Sequence, residues 1–348
     1  MNKNKELLEF AEQILKKEEQ EDIQKIKYEV AKLDNKVARL PLFKPIKKGK
    51  REGGIEINTS IGNTGISIQM WRQLDIFDQS LFLVLMAMAG SAGKDTNSLA
   101  KKIKKEEKIS SPGAKSWRHL WEQEKVDDKN KITKIVRKEN NDFIFSNTIY
   151  IETTLYEVLK NMGYDIGGSA YRQVYDSLKR LSATGITILR DNIICGGSYT
   201  NIIGYYAEKN DNDDGKTILT VAINPLSAAI FLTEDNFIAI NLLERIKLKS
   251  SITKAVHNYF SLYVNQGQSK NLFLDTLIEK IWNIDVKTLD RKLRSKKKKM
   301  LIAAIEEINK KLDWWEITFK ENNPEIIIIC HEKMKKRKIN KHQPVTQF

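Results

Sequence analysis

Cysteine is nearly absent: Cys195 and Cys330 are the only two in 348 residues. Two thiols make no disulfide framework, so both are expected as small apolar core residues in a reducing compartment. No apolar run approaches the length of about 20 residues that a membrane helix needs. The opening MNKNKELLEF lacks the apolar core of a secretory signal. These absences point to a cytoplasmic protein with no membrane partner. Histidine is scarce too, and His119, His257, His331 and His342 lie far apart. No cysteine sits close enough to any of them to complete a zinc site, so each reads as a core or surface residue. No metal and no cofactor is expected.

The catalytic motifs fail one by one. GSAGKDT at Gly90 suggests a phosphate loop, but the glycine needed five residues before Gly93 is Met88, and Asp95 replaces the magnesium-binding hydroxyl. NDNDDGK around Gly215 suggests a calcium loop, but the closing glutamate position holds Val221, and a hairpin turn is the better reading. Rolling-circle nickases resemble one another in a His–apolar–His pair that holds a metal beside a nucleophilic tyrosine. Eleven tyrosines are present here, and that pair is not. The chain is expected not to be an enzyme.

What the chain has in excess is positive charge. It carries 59 basic and 45 acidic residues, a net charge of +14. Such an excess favours an anionic partner. The apolar fraction, 41%, is that of a globular protein.

Residues 1 to about 40 read as an extra N-terminal helix. Ile26, Val30, Leu33, Val37 and Leu40 repeat at alternating spacings of three and four, a narrow seam. The seam packs either on its own protein or on a second copy, which would give self-association through residues 1–40. A basic linker closes this region at 52. GIEINTSIGNTGISI alternates as a strand pair. QLDIFDQSLFLVLMAMAG reads as a buried helix ending at Gly90. Residues 91–130 read as an irregular insertion with short helices, and KITKIVRKENNDFIFSNTIYIE as a hairpin.

A specific pattern begins at Thr153. Thr153 or Thr154 caps LYEVLKNM, and Gly163 closes it. A second helix, about Ser169 to Ala183, follows a turn, with Tyr171, Val174, Leu178 and Leu181 on its inner line. ITILRDNIICGG, TNIIGYYAEK and KTILTVAINP read as strands. Helix, turn, helix and hairpin in that order describe a winged helix-turn-helix. The order recurs through SITKAVHNYFSLYVNQ, LFLDTLIEKIWNI, VKTLDRKLRSKKKKMLIAAIEEINKKL, WWEITF and EIIIICHE. The fold expected is α+β, with two tandem winged helix-turn-helix domains at 53–223 and 224–332 and a basic tail at 333–348.

Each domain offers a candidate DNA-reading helix. In the first, Ser169, Arg172, Gln173, Lys179 and Arg180 sit on the outer side, and Arg190 lies in the candidate wing. Arginine pairs well with guanine and glutamine with adenine in the major groove. Asp176 shares that side and would repel phosphate, which restricts groove contact to the first turn. In the second, ten basic residues face three acids between Val286 and Leu312. The candidates are Thr288, Arg291, Lys292, Arg294, Ser295, Lys297, Lys298 and Lys299. Lys296 lies near a line through Leu293 and Met300, along which one lysine is expected to snorkel.

At these residues the chain resembles the replication initiators of bacterial plasmids, closest to replication protein C of IncQ-type plasmids and related to iteron-binding IncP-type initiators. The stretches that carry the resemblance are LVLMAMAG, YEVLKNMGYDIGGSAYRQVYDSLKRLSATGITI, GKTILTVAINPLSAAIF, LFLDTLIEKIW and RKLRSKKKKMLIAAIEEINKKLDWWEITF. It covers roughly residues 60 to 332. It implies a bacterial, plasmid-encoded protein that binds direct repeats (iterons) in double-stranded origin DNA. It also implies origin opening, helicase loading and contact with a replicative helicase and other replication proteins. The family supplies no catalytic residues. Its recognition-helix role falls on Ser169 to Arg180 and Thr288 to Lys299. The alternatives are a winged-helix transcriptional repressor and a DNA-nicking replication enzyme.

Overall fold

The structure is a computed structural model that describes residues 28–34, 38–46, 51–61, 64–102, 114–116, 149–190, 193–195, 203–209, 217–223 and 237–332. Among these residues the protein is a mixture of helices and antiparallel sheets built around two apolar clusters.

The chain enters as a strand, β1 (Val30–Asp34), where a helix was expected. It pairs antiparallel with β10 (Phe237–Asn241), Val30 opposite Asn241. The correction follows from the pattern itself. Ala31 and Leu33 are buried while Val30 is 44% exposed, which is the period of a strand with one face covered. Leu33 and Leu40, two members of the expected seam, belong to the protein's own first core. The expected linker is packed as well: Leu42 is buried, and Phe43 touches both clusters and bridges in parallel to Leu74. Residues 1–27 lie outside the described part.

A hairpin, β2 (Gly53–Ile61) and β3 (Thr64–Arg72), forms as the alternating sequence requires. Helix α1 (Ile76–Lys102) then runs on past Gly90, where it was expected to end. Every residue from Leu81 to Ala89 is buried, so this segment is apolar on all sides because the core surrounds it. Of the expected insertion, residues 91–102 thus belong to α1, and β4 (Ala114–Ser116) is a short strand.

The first unit continues with β5 (Ile149–Thr154), α2 (Leu155–Met162) and α3 (Gly168–Ser182). Thr154 caps α2 by accepting from Glu157 N at 3.1 Å. Gly163 ends it at φ 68°, where a β-carbon would also meet Ile246 at 2.5 Å; only glycine satisfies both conditions. Val174, Leu178 and Leu181 are fully buried, and each such side chain contributes roughly 1.5–3 kcal/mol.

Next come β6 (Thr184–Arg190) and β7 (Ile193–Cys195). They join the first hairpin in a sheet of order β2-β3-β6-β7, with Ile66 opposite Ile188 and Ile68 opposite Ile186. The hairpin beside α3's own sheet is instead β8 (Ile203–Lys209) with β9 (Thr217–Ile223), in the order β4-β5-β9-β8. The open edge of β3 has captured β6, so Arg190 belongs to a different sheet from the one expected. Of INPLSAAIF, the described part ends at Ile223.

The second unit consists of α4 (Leu242–Lys247), α5 (Ser251–Tyr263), β11 (Gln268–Phe273), α6 (Leu274–Trp282), a 3-10 turn (Val286–Thr288), α7 (Arg291–Lys311), β12 (Trp315–Lys320) and β13 (Asn323–His331). Its sheet order is β11-β13-β12. The two units share a plan. In each, a strand runs straight into a helix, β5 into α2 and β11 into α6. Each of those helices closes on a left-handed residue, Gly163 or Asn283. In each, the strand before the helix pairs with the last strand of the hairpin.

Arg245 locks the units together. It is 2% exposed; its Nη1 donates to Lys254 O at 2.8 Å and its Nη2 to Gln79 Oε1 at 2.8 Å on α1. Burial lowers its pKa to about 10, so it stays charged at neutral pH. Glu244, His257 and Trp315 are buried together beside the second core, with His331 next to them. Glu244 Oε2 accepts from Trp315 Nε1 and pairs with His257 Nε2, each at 2.9 Å, and His331 stacks on Trp315 with centroids 3.9 Å apart. Of the two described histidines, His257 is therefore a core group and His331 is half-buried. Cys330 is only half-buried, with Sγ 3.1 Å from Ser269 Oγ, rather than an apolar core residue.

Candidate nucleic-acid interface

Helix α7 begins at Asp290, whose carboxylate accepts from Leu293 N at 2.7 Å. Its apolar stripe is Leu301, Ala304, Ile305 and Ile308, all in the second half. No residue from Arg291 to Met300 is buried, so the first half stands clear of the core. Leu293 and Met300 are 40% and 37% exposed, so the line expected through them is not a buried one. Lys296 does not snorkel. Lys297 does, with Nζ 4.0 Å from the centroid of the Trp282 ring; burial and then Lys44 lower its pKa.

The structure sorts the basic run by direction. Arg291, Lys292, Ser295, Lys296 and Lys299 line one shallow open depression. Their spacing of one, three, one and three places them on one helix face, opposite Leu301, Ala304, Ile305 and Ile308. Arg294 and Lys298 turn to the flank. Arg294 Nε donates to Asp275 Oδ1 at 3.0 Å, and Nη2 makes a second contact to the same carboxylate. Lys298 lies 3.4 Å from Asp275 and also pairs with Glu325. The hydrogen bond from Arg294 is the main reason that the Asp275 carboxyl sits below the usual range. The Thr288 hydroxyl donates to Asp285 O at 2.7 Å, within the 3-10 turn.

On α3, Ser169, Arg172, Gln173, Asp176 and Lys179 are exposed on the side away from Val174, Leu178 and Leu181. Gly167 gives α3 no side-chain cap, and the first turn carries no acid. Its free amides and the helix dipole therefore favour an approaching anion. Arg180 is a correction: it faces inward. Its Nη2 lies 2.7 Å from Asp78 Oδ1 and its Nε 3.1 Å from Asp78 Oδ2. Ser177 Oγ donates to the same carboxylate at 2.6 Å, and Arg51 Nη1 reaches it at 3.2 Å. The side chain of Arg190 lies outside the described part.

Lys296 lines the same open face and is missing from the sequence candidates. A signal for Arg180 was present in the sequence. Asp78 is an acid inside a helix otherwise apolar enough to be buried, and a buried carboxylate requires a cation. Among the described residues, no group of three or more histidine, cysteine, aspartate or glutamate side chains could hold a metal, and no helix is long and apolar enough to cross a membrane.

Among solved structures, domains 2 and 3 of RctB share 12% identity with the chain at a TM-score of 0.47, over 86% of this chain and 98% of that one. A second crystal structure of RctB domains 2–3 gives 10% identity and a TM-score of 0.46, over 86% and 97%. The Pi initiator protein in complex with iteron DNA gives 18% identity and a TM-score of 0.36, over 52% and 79%. The search of curated proteins gives no match. Residues 120–327 match the family Replication protein C (RepC), and with well over half of its length inside that match the chain belongs to this family of replication proteins.

Proposed function

We propose that the chain is a sequence-specific, non-enzymatic replication initiator that binds direct repeats in double-stranded plasmid-origin DNA. The observation that carries this reading is the first half of α7: four cations and a serine on one open face, raised clear of the core. Family membership supports it. Each unit is read as a winged helix-turn-helix, with α2–α3 and β8–β9 in the first and α6–α7 and β12–β13 in the second. Residues 53–223 and 224–332 bound them approximately, with Ala31, Leu33, Leu40 and Leu42 packed into the core of the first.

The two helices divide the work. Arg291, Lys292, Lys296 and Lys299 neutralise phosphates and release counterions, a grip that weakens steeply with salt. The first turn of α3, with Ser169, Arg172 and Gln173, reads base edges in a major groove. The side-chain supply of α3 suits reading because it is short of charge, and that of α7 suits gripping. Two units in one chain would meet successive grooves about one helical turn apart, on one face of the duplex. Origin opening, helicase loading and contacts with a replicative helicase follow from the same reading, in the cytoplasm of a plasmid-bearing bacterium.

Footprinting on origin DNA tests it. Protection of tandem direct repeats of about 20 base pairs, in patches about 10 base pairs apart on one face, is the expected result. Protection of a single inverted repeat would favour a repressor. Metal-dependent nicking of supercoiled origin DNA would overturn the non-enzymatic reading.

A further inference from the structure

Arg294 and Lys298 stand at the margin of the open α7 face, three and seven residues after Arg291. Both are held by acids from outside the helix. Asp275 comes from the first turn of α6 and Glu325 from β13 of the hairpin. Arg294 makes two contacts to Asp275, and Lys298 sits between both carboxylates. Arg294 is nevertheless 45% exposed, within reach of a passing phosphate. We propose that Asp275 and Glu325 form a specificity-setting clamp: they withhold Arg294 and Lys298 from the DNA backbone and fix α7 relative to the hairpin. This rests on reading α7 as a DNA-gripping helix.

The consequence is a count of phosphate contacts. With the clamp, the open face offers Arg291, Lys292, Lys296 and Lys299. Without it, two further cations become available. Each phosphate contact adds about 0.9 to the slope of log affinity against log salt, so two add up to about 1.8. Random DNA gains most, because a loosely docked helix lets freed side chains find phosphates. On the cognate repeat, base contacts fix the helix and the gain is smaller. Asp275 and Glu325 are thus positioning residues that lower sequence-independent affinity.

Fluorescence anisotropy with a random duplex and with an origin repeat, between about 50 and 200 mM salt, tests the clamp on the full chain. Asp275→Asn, which frees Arg294 while Glu325 still holds Lys298, should steepen the random-DNA slope by about 0.9, Glu325→Gln by up to about 0.9, and the two together by about 1.8, each narrowing the ratio of specific to random binding. Asp275→Glu should keep the original slope. Should Asp275→Asn fail to fold, Glu325→Gln decides, since it leaves the α6 terminus intact. Unchanged or shallower slopes in the folded variants overturn the clamp. Lys292→Ala with Lys296→Ala separates this from the parent reading. A shallower slope in that variant upholds α7 as the gripping helix even if the clamp fails. An unchanged slope removes both.

Discussion

Arg180 Nη2 lies 2.7 Å from Asp78 Oδ1, and Asp78 has no exposed surface. This cation, on the helix assigned to base reading, is spent on holding α3 against α1. Removing it leaves the buried carboxylate only Ser177 and the longer Arg51 contact, at a cost toward the lower end of the ~3–5 kcal/mol of a broken buried pair. Arg180→Ala should therefore lower stability by that amount in urea unfolding, while Arg172→Ala, two turns earlier and exposed, should change it by less than about 0.5 kcal/mol. Equal small effects would show that the pair does not hold the helix.

Base reading by α3 has a different signature. Arg172→Ala and Gln173→Ala should each cost about 1–3 kcal/mol on the cognate repeat and much less on random DNA. Competition gel shifts measure the ratio. Equal losses on both DNAs would mean that this turn only touches phosphate.

The Glu244–His257–Trp315–His331 group makes stability depend on pH. Burial lowers the His331 pKa from 6.5. Burial alone would raise that of Glu244, but the hydrogen bonds from His257 and Trp315, with the nearby histidines, bring it below 4.5. Both folded values lie below the unfolded ones, so both contributions are complete above the unfolded pKa and are lost as pH falls through the folded one. Stability should decline as pH drops below 6.5, and again below 4.5. His331→Phe, which keeps a ring on Trp315, should flatten the first decline in melting temperature against pH. An unchanged profile would exclude His331 as its source.

Truncation separates the N-terminal segment from the fold. Removing residues 1–27 leaves β1 in place, and the melting temperature should hold. Removing residues 1–43 strips Ala31, Leu33, Leu40 and Leu42 from the core. A buried leucine contributes about 2–5 kcal/mol against alanine, so this truncation should unfold the first unit. A change of oligomer mass in light scattering of the shorter truncation would place self-association in residues 1–27; an unchanged mass would remove that role.

Local signals were readable where both partners lie close in sequence. Thr154 and Gly163 bracket α2 within ten positions, so the limits of that helix emerge directly. The direction of each α7 cation was not readable, because Asp275 and Glu325 lie 19 and 27 residues away from Arg294 and Lys298. The helical reading misled over residues 30–34, which satisfy both a helical and a two-residue period. A distant strand, β10, selected the second. Pairing of β6 with β3 was hidden for the same reason: an open strand edge over a hundred residues earlier leaves no local trace.

The salt dependence of binding to an origin repeat tests the central claim, that the open face of α7 grips the DNA backbone. Replacing Lys292, Lys296 and Lys299 together by alanine should reduce the slope of log affinity against log salt by about 2.7, at about 0.9 per phosphate contact, while Arg294→Ala leaves it unchanged. An unaltered slope in the triple variant, with the fold intact, would contradict the account.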